Sequence, residues 1–338
     1  MKQAVGLKRI IVLSIILSFV VILLGAYTRL KGAGLGCPDW PGCYGQLSAP
    51  LTTEEVQLAQ QSYPGLTVEY FKAKIEMVHR YFAGSLGLFI ALIAFMAFRA
   101  RKKIALPLTL PLILVILVIC QALLGMFTVT MRLNPPIVLL HLIGGFSTLS
   151  LLWICWLYLQ KNAAALLQTN TRLITLSIAA LIVVITQIAL GGWVSTNYSA
   201  LICTDFPMCQ GQWLPSSDVL SAFPFWDLTR LPDQLSASVR INIQLTHRIG
   251  ALITTIIISF LAFSLWRSRN NTIDPKAKTW LSRSVFLLLG LLVTQICLGI
   301  TNVLALLPTA IAVLHNGIAV LLLLTLININ FKLIRAGK

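Results

Sequence analysis

Eight stretches of roughly 20 mostly apolar residues dominate this chain, at 9–28, 76–98, 105–128, 137–160, 172–196, 243–266, 281–304 and 309–331. Each is long enough to cross a hydrocarbon core of about 30 Å as a helix. Helix is the form that lipid imposes, because a backbone without water must satisfy its own N–H and C=O groups. Only 11% of the 338 residues are charged, against about a quarter in soluble domains. That excludes a disordered chain, a coiled coil and an ordinary cytosolic enzyme. The expected fold class is an all-α polytopic membrane protein with eight transmembrane helices.

The charge then gives an orientation. The chain carries 26 Lys+Arg and 10 Asp+Glu, a net of +16. With both termini in the cytoplasm, the inner segments hold 17 bases and one acid, Asp274, while the outer segments hold nine of each. The whole excess is therefore a positive-inside signal, and nucleic acid is not needed to explain it. The first apolar run is long for a signal-peptide core and is read as a retained helix. No Arg/Ser-rich transit segment precedes it, which favours a bacterial inner membrane.

Four markers recur in order. Cys37-Pro-Asp-Trp-Pro-Gly-Cys43 returns as Cys203-Thr-Asp-Phe-Pro-Met-Cys209, offset by 166; Glu76-Met-Val-His79-Arg80 returns as Gln244-Leu-Thr-His247-Arg248, offset by 168. Gln121-Ala-Leu-Leu-Gly125 returns as Gln295-Ile-Cys-Leu-Gly299, and His141 as His315, both offset by 174. An even number of spans per half makes the repeat parallel. The expectation is two tandem four-helix bundles, 1–165 and 166–338, facing the same way.

The only four histidines all fall in spans, three to seven residues from the outer end of spans 2, 4, 6 and 8. Ionisable groups at that depth default to functional roles. Imidazoles from paired helices can clamp an iron porphyrin axially, so two per half point to one haem per half. Gly84, Gly87, Gly144, Gly145, Gly250 and Gly317 follow the histidines and leave room for a flat macrocycle. The plain alternative is four polar side chains bridging helices by hydrogen bonds. Arg80 and Arg248 are placed either to pair with haem propionates or to snorkel to the interface.

Glu76 is the single acid within or at the start of a span, and its counterpart is Gln244. It sits three residues before His79, on the same helix face. The asymmetry assigns chemistry to the first half and electron transfer to the second, with Glu76 moving protons. The alternative is an interfacial acid paired with Arg80. A di-iron carboxylate site needs more carboxylates than this.

Seven cysteines divide into four and three. Cys37/Cys43 and Cys203/Cys209 lie in outer loops, an oxidising compartment, and are expected as two disulfides. A redox-active first pair, or a zinc site using all four thiolates, are the alternatives. Cys120, Cys155 and Cys297 are expected to pack within the spans. The loop 44–75, with an amphipathic stretch Tyr70–Ile75, is expected as a surface lid. Trp213, Phe223, Phe225 and Trp226 suggest an interfacial belt.

The stretch Thr28-Arg-Leu-Lys-Gly-Ala-Gly-Leu-Gly-Cys-Pro-Asp-Trp-Pro-Gly-Cys43 resembles the T-R-L-x-x-S-G-L-x-C-P-D-W-P-x-C signature of the haem A synthase family, with Ala33 where the family often has Ser. The E-x-x-H-R block at 76–80, the H-R pair at 247–248 and the H-N pair at 315–316 match as well. The resemblance implies an inner-membrane oxidoreductase that converts the C8 methyl of haem O to a formyl group by successive hydroxylations. It implies that His79 and His141 hold the substrate haem, with Glu76 essential to the chemistry, and that His247 and His315 hold a resident haem b. It also makes Cys37 and Cys43 the family's first-loop pair. Expected partners are haem O and haem A, membrane lipid, haem O synthase, cytochrome oxidase assembly factors and a second copy of the chain. Two rivals fit four intramembrane histidines: a di-haem quinone or ferric reductase, and a haem transporter or chaperone.

Overall fold

The computed structural model describes residues 2–160, 171–216, 218–225, 227–229 and 235–336. The boundary expected at 165/166 and Trp226 lie outside the described residues. Within them the chain is helical and has no β-strand. The helices are α1 (Lys2–Leu30), a short α2 (Thr53–Ser62), α3 (Tyr70–Ala100), α4 (Thr109–Thr130), α5 (Pro135–Tyr158), α6 (Thr171–Thr196), α7 (Ala237–Asn271), α8 (Pro275–Leu304) and α9 (Thr309–Ala336). All but α2 are long and apolar enough to span a membrane, so the eight spans stand as expected.

Two helices begin six residues earlier than the hydropathy suggested: α3 at Tyr70 rather than 76, and α7 at Ala237 rather than 243. Their opening turns carry Lys72, Lys74, Arg240 and Asn242, too polar for the hydrocarbon core but still helical. Tyr70–Ile75 is thus the first part of α3 and not a surface lid. The helix of that loop is α2, started by a capping box in which Thr52 accepts from Glu55 N–H and Glu55 answers to the Thr52 N–H at 2.9 Å.

The described chain divides into two compact units, Met1–Leu152 with Pro224–Leu235, and Trp153–Phe223 with Ser236–Lys338. In the first, α1 packs on α3 and α3 on α4. In the second, contacts of α6 with α7, α7 with α8, α8 with α9 and α9 with α6 close a four-helix ring. A buried polar pair staples that ring: Ser177 Oγ donates to Asn330 Oδ1 and Asn330 Nδ2 to the Ser177 carbonyl, both at 2.9 Å. Such side-chain bonds hold helices together where lipid offers no hydrophobic drive.

Four helix ends share one stop. Ala33, Leu133, Ser199 and Leu307 each donate their N–H to the carbonyl five residues back, at 2.8–3.0 Å. The residue before each is left-handed: Gly32, Arg132, Tyr198 and Leu306. These are Schellman turns, which satisfy the last carbonyls of a helix. Three of them use a side-chain-bearing residue where glycine is easier.

Candidate functional site

The cysteine loops are built alike. Cys37–Cys43 and Cys203–Cys209 are both disulfides, so the thiolates that a zinc site requires are already bonded. The motif's aspartate explains itself locally. Asp39 accepts the N–H groups of Tyr44 (2.6 Å) and Gly45 (2.8 Å), and Asp205 those of Gln210 (2.8 Å) and Gly211 (3.2 Å). Those residues are left-handed in both loops, and each turn is closed by a two-way backbone bridge, Cys43 with Gln46 and Cys209 with Gln212. The proline after each aromatic is cis. The N–H of Gln210 foremost holds the Asp205 carboxyl below the usual range.

An arginine ties each loop to its helix. Arg80 Nη1 donates to the carbonyls of Asp39 (3.0 Å), Pro41 (3.2 Å) and Gly42; Arg248 Nη1 donates to those of Asp205 (3.0 Å), Pro207 (3.1 Å) and Met208. The observed work of both arginines is therefore to clamp a loop whose carbonyls have no helix to satisfy them. Their remaining nitrogens differ. Arg80 Nη2 forms an ion pair with Glu76 at 2.5 Å. The equivalent acid is missing beside Arg248, whose buried Nε and Nη2 make no hydrogen bond, and the Gln244 Oε1 nearby in sequence is also unsatisfied.

Glu76 is 4% exposed and bonded on both oxygens. Its Oε2 accepts the Cys37 N–H at 3.0 Å while Oε1 holds Arg80. It lies two helical turns inside α3, away from the helix end where hydropathy placed it. Gly36 allows the loop to lie this close, since a Cβ there would stand 2.5 Å from the Lys72 carbonyl carbon of α3. Around this junction Cys37, Cys43, Tyr44, Ala59, Ala73 and Met77 form a buried cluster.

The four histidines share one seating. Each ring lies edge-on over a glycine of a neighbouring helix, with Cε1 at 3.1 Å from an ideal Cβ position on Gly25 (His79), 3.5 Å on Gly125 (His141), 3.1 Å on Gly191 (His247) and 3.2 Å on Gly299 (His315). His79 and His141 are electrostatic neighbours, as are His247 and His315. His79 and His247 lie nine and ten residues into α3 and α7, because both helices begin six residues before their apolar spans. Gly25 and Gly191 were missed by the sequence reading, although they are 166 residues apart, the same offset as the loops.

Of the glycines expected to make room, Gly87 meets only Val118 Cγ2, at 3.8 Å from a Cβ, Gly317 is buried, and the other four divide into two kinds. Gly84 and Gly145 do face open space, with nothing within 4 Å of a Cβ. Gly144 and Gly250 do not: the amides of Gln121 and Gln187, respectively, fill the place a Cβ would take. Of the free cysteines, Cys155 is buried as expected, but Cys120 and Cys297 are exposed on the outer faces of their helices. Phe223 is drawn out of the expected interfacial belt to stack on the buried Trp193, at 6.4 Å between ring centroids.

These features fit a haem in each unit. Buried His79 Nδ1 and His141 Nδ1 have no hydrogen-bond partner, and neither do the two Arg248 nitrogens. The helix faces at Gly84 and Gly145 are open. Imidazole pairs with a free cationic donor suit iron and carboxylate together. Among the described residues no three His, Cys, Asp or Glu side chains cluster as a metal-ion site, so the pairs are the remaining metal-binding chemistry.

A polytopic helical membrane protein with two intramembrane histidine pairs, each beneath a disulfide-closed loop, is the class that this arrangement defines. The chain belongs to the COX15-CtaA family of cytochrome oxidase assembly proteins, whose family model it matches over residues 8–327. It is 44% identical over 327 residues to the heme A synthase of Shewanella oneidensis, covering 95% of this chain and 94% of that one. Other similar proteins are the heme A synthases of Shouchella clausii, 27% identical with 98% of both chains covered, and of Flavobacterium psychrophilum, 29% identical with 91% and 92% covered.

Proposed function

We propose that this chain is a haem A synthase, oxidising the C8 methyl of haem O to the formyl group of haem A by successive hydroxylations and loss of water. The observation that carries the proposal is the asymmetry of two otherwise matching sites: a buried carboxylate, Glu76, stands beside the first histidine pair, and neutral Gln244 beside the second. Family membership supports the activity, and the asymmetry supports the division of roles. His79 and His141 hold the substrate haem, and His247 and His315 hold haem b. Haem b, when bound, would supply one-electron transfer.

The chain's own groups do the rest. Glu76 carries a proton at its carboxylate. To take one up at Oε1 it must give up the ion pair with Arg80, which frees Nη2. Its other oxygen stays tethered to Cys37 N–H, so the acid keeps its position beneath the loop. Arg248, with two nitrogens to spare, is suited to a haem propionate. Arg80 is suited to one only when Glu76 releases it. The surrounding lipid-facing helices exclude water, and the isoprenoid tail of haem O has its natural home in the same lipid. The bias of basic residues supports an inner-membrane location with both termini in the cytoplasm. Haem O synthase would supply the substrate and cytochrome oxidase assembly would use the product, with a second copy of the chain as a further partner.

Expression with a source of haem O, followed by pigment extraction and chromatography, tests the proposal. Haem A or its hydroxymethyl precursor is expected; haem B and haem O alone would favour a reductase or a carrier. Glu76→Gln is expected to lower product formation by about 10²-fold or more, the range for general acid–base groups, while the resident haem stays bound.

A further inference from the structure

We infer that Gln187 is the positioning residue that makes the second histidine pair a permanent haem site, by facing Nδ1 of His247 where the other three histidines have no partner on Nδ1. The inference rests on His247 being a ligand of resident haem b. On α6, the Gln187 amide nitrogen lies 3.0 Å from His247 Nδ1 and 3.0 Å from the His247 carbonyl. The amide lies in a notch at Gly250, where a Cβ would collide with Gln187 Oε1. That Oε1 is itself buried without a partner.

Both sides of this slot change at His79, the counterpart of His247, whereas His141 keeps Gln121 and Gly144 at the same spacing but has no partner on its Nδ1. Gln187 stands four residues before the glycine under its histidine ring, and Gly250 three residues after its histidine. The same positions around Gly25 and His79 hold Val21 and Phe82. A valine offers no side-chain hydrogen bond, and a phenylalanine in place of the glycine leaves no such notch. His79 Nδ1 accordingly has no hydrogen-bond partner.

The chemistry follows from the imidazole. A histidine that gives its Nε2 lone pair to iron carries its proton on Nδ1. The group facing Nδ1 must then be an acceptor, so the amide presents its oxygen, the end that has no partner in the present orientation. The turn gives up the bond to the His247 carbonyl, which the helix already satisfies. Such an outer partner fixes the tautomer and ring plane and makes the imidazole a stronger donor; losing one typically weakens metal binding about 10–100-fold. The pair with one imidazole held at Nδ1 keeps its haem. The pair with neither held lets a ring turn and a haem leave, as a substrate site requires.

The test uses the full-length chain in detergent, with Gln187→Val, Gln187→Glu and the pair Val21→Gln/Phe82→Gly. Haem transfer to apomyoglobin and the reduction potential of the resident haem are read, with His247→Ala as reference. Gln187→Val is expected to speed loss of the resident haem by about ten-fold or more and to raise its potential. Gln187→Glu, an acceptor only, is expected to retain the haem and lower the potential. The Val21→Gln/Phe82→Gly chain is expected to release haem from the first unit more slowly. If Gln187→Val and Gln187→Glu match the parent in both rate and potential while His247→Ala loses the haem, the inference is overturned and the ligand assignment stands. If His247→Ala keeps the resident haem, the ligand assignment itself fails.

Discussion

Replacing the glycine beneath one histidine ring gives a prediction whose size can be worked out. In Gly191→Ala the new methyl stands 3.1 Å from His247 Cε1 and 3.8 Å from both ring nitrogens. Carbon atoms settle at about 3.5–4.0 Å, so the ring must retreat by about 0.4 Å. Overpacking of this kind costs about 1–3 kcal/mol, and the helix propensity of alanine over glycine returns up to about 1 kcal/mol. The net is a destabilisation of about 0–2 kcal/mol. Gly25→Ala is equivalent at 3.1 Å, and Gly299→Ala slightly milder at 3.2 Å. Gly125→Ala places its methyl at 3.5 Å, an ordinary contact, so the propensity gain is left over and stability is unchanged or higher by up to about 1 kcal/mol. Thermal unfolding in detergent, with absorbance of bound haem per chain, reads the series. Repeating Gly191→Ala in a His247→Ala background removes the ring that is struck, and the destabilisation should vanish. A Gly125→Ala as harmful as Gly191→Ala, or an effect of Gly191→Ala that survives loss of the ring, would falsify the seating of imidazole on glycine.

Two more outcomes are expected. His247→Ala and His315→Ala should deplete the resident haem more than His79→Ala does, measured as haem b per purified chain; equal depletion by all three removes the division of roles between the units. The second loop should hold its shape down to acid pH. Because Gln210 N–H lowers the folded carboxyl of Asp205, its contribution is fully present above the ordinary aspartate value of about 3.9 and fades as pH falls through the lower folded value. Phosphine reduction of Cys203–Cys209 should therefore stay slow from neutral pH to about pH 5 and quicken only below about pH 4. Quickening near pH 6 would show that Asp205 does not hold the turn.

The division between what was readable and what was not follows the range of the interactions. Eight spans, the paired loops and the four histidines are legible because lipid dictates helix from local apolarity alone, and because motifs repeated at offsets of 166 to 174 mark themselves. The starts of α3 and α7 were read late, since hydropathy reports where polar side chains begin, whereas the helix continues through Lys72 and Asn242. The motif aspartates were seen as spelling and not as function; only the folded turn brings Asp39 onto the N–H groups of Tyr44 and Gly45.

By itself the sequence determined the class of molecule, the chemistry available and the fact that the two halves differ at Glu76 and Gln244, since composition and residue type need no partner to be known. Tertiary structure alone decided what each group touches. It set Glu76 between Arg80 and the Cys37 backbone, laid the histidine rings on Gly25, Gly125, Gly191 and Gly299, and filled the space beside Gly250 with Gln187. Apart from the Glu76–Arg80 pair within α3, those contacts join residues 16 to 63 positions apart on separate elements, and a side chain's neighbour across such an interface is fixed by packing, which no local pattern encodes.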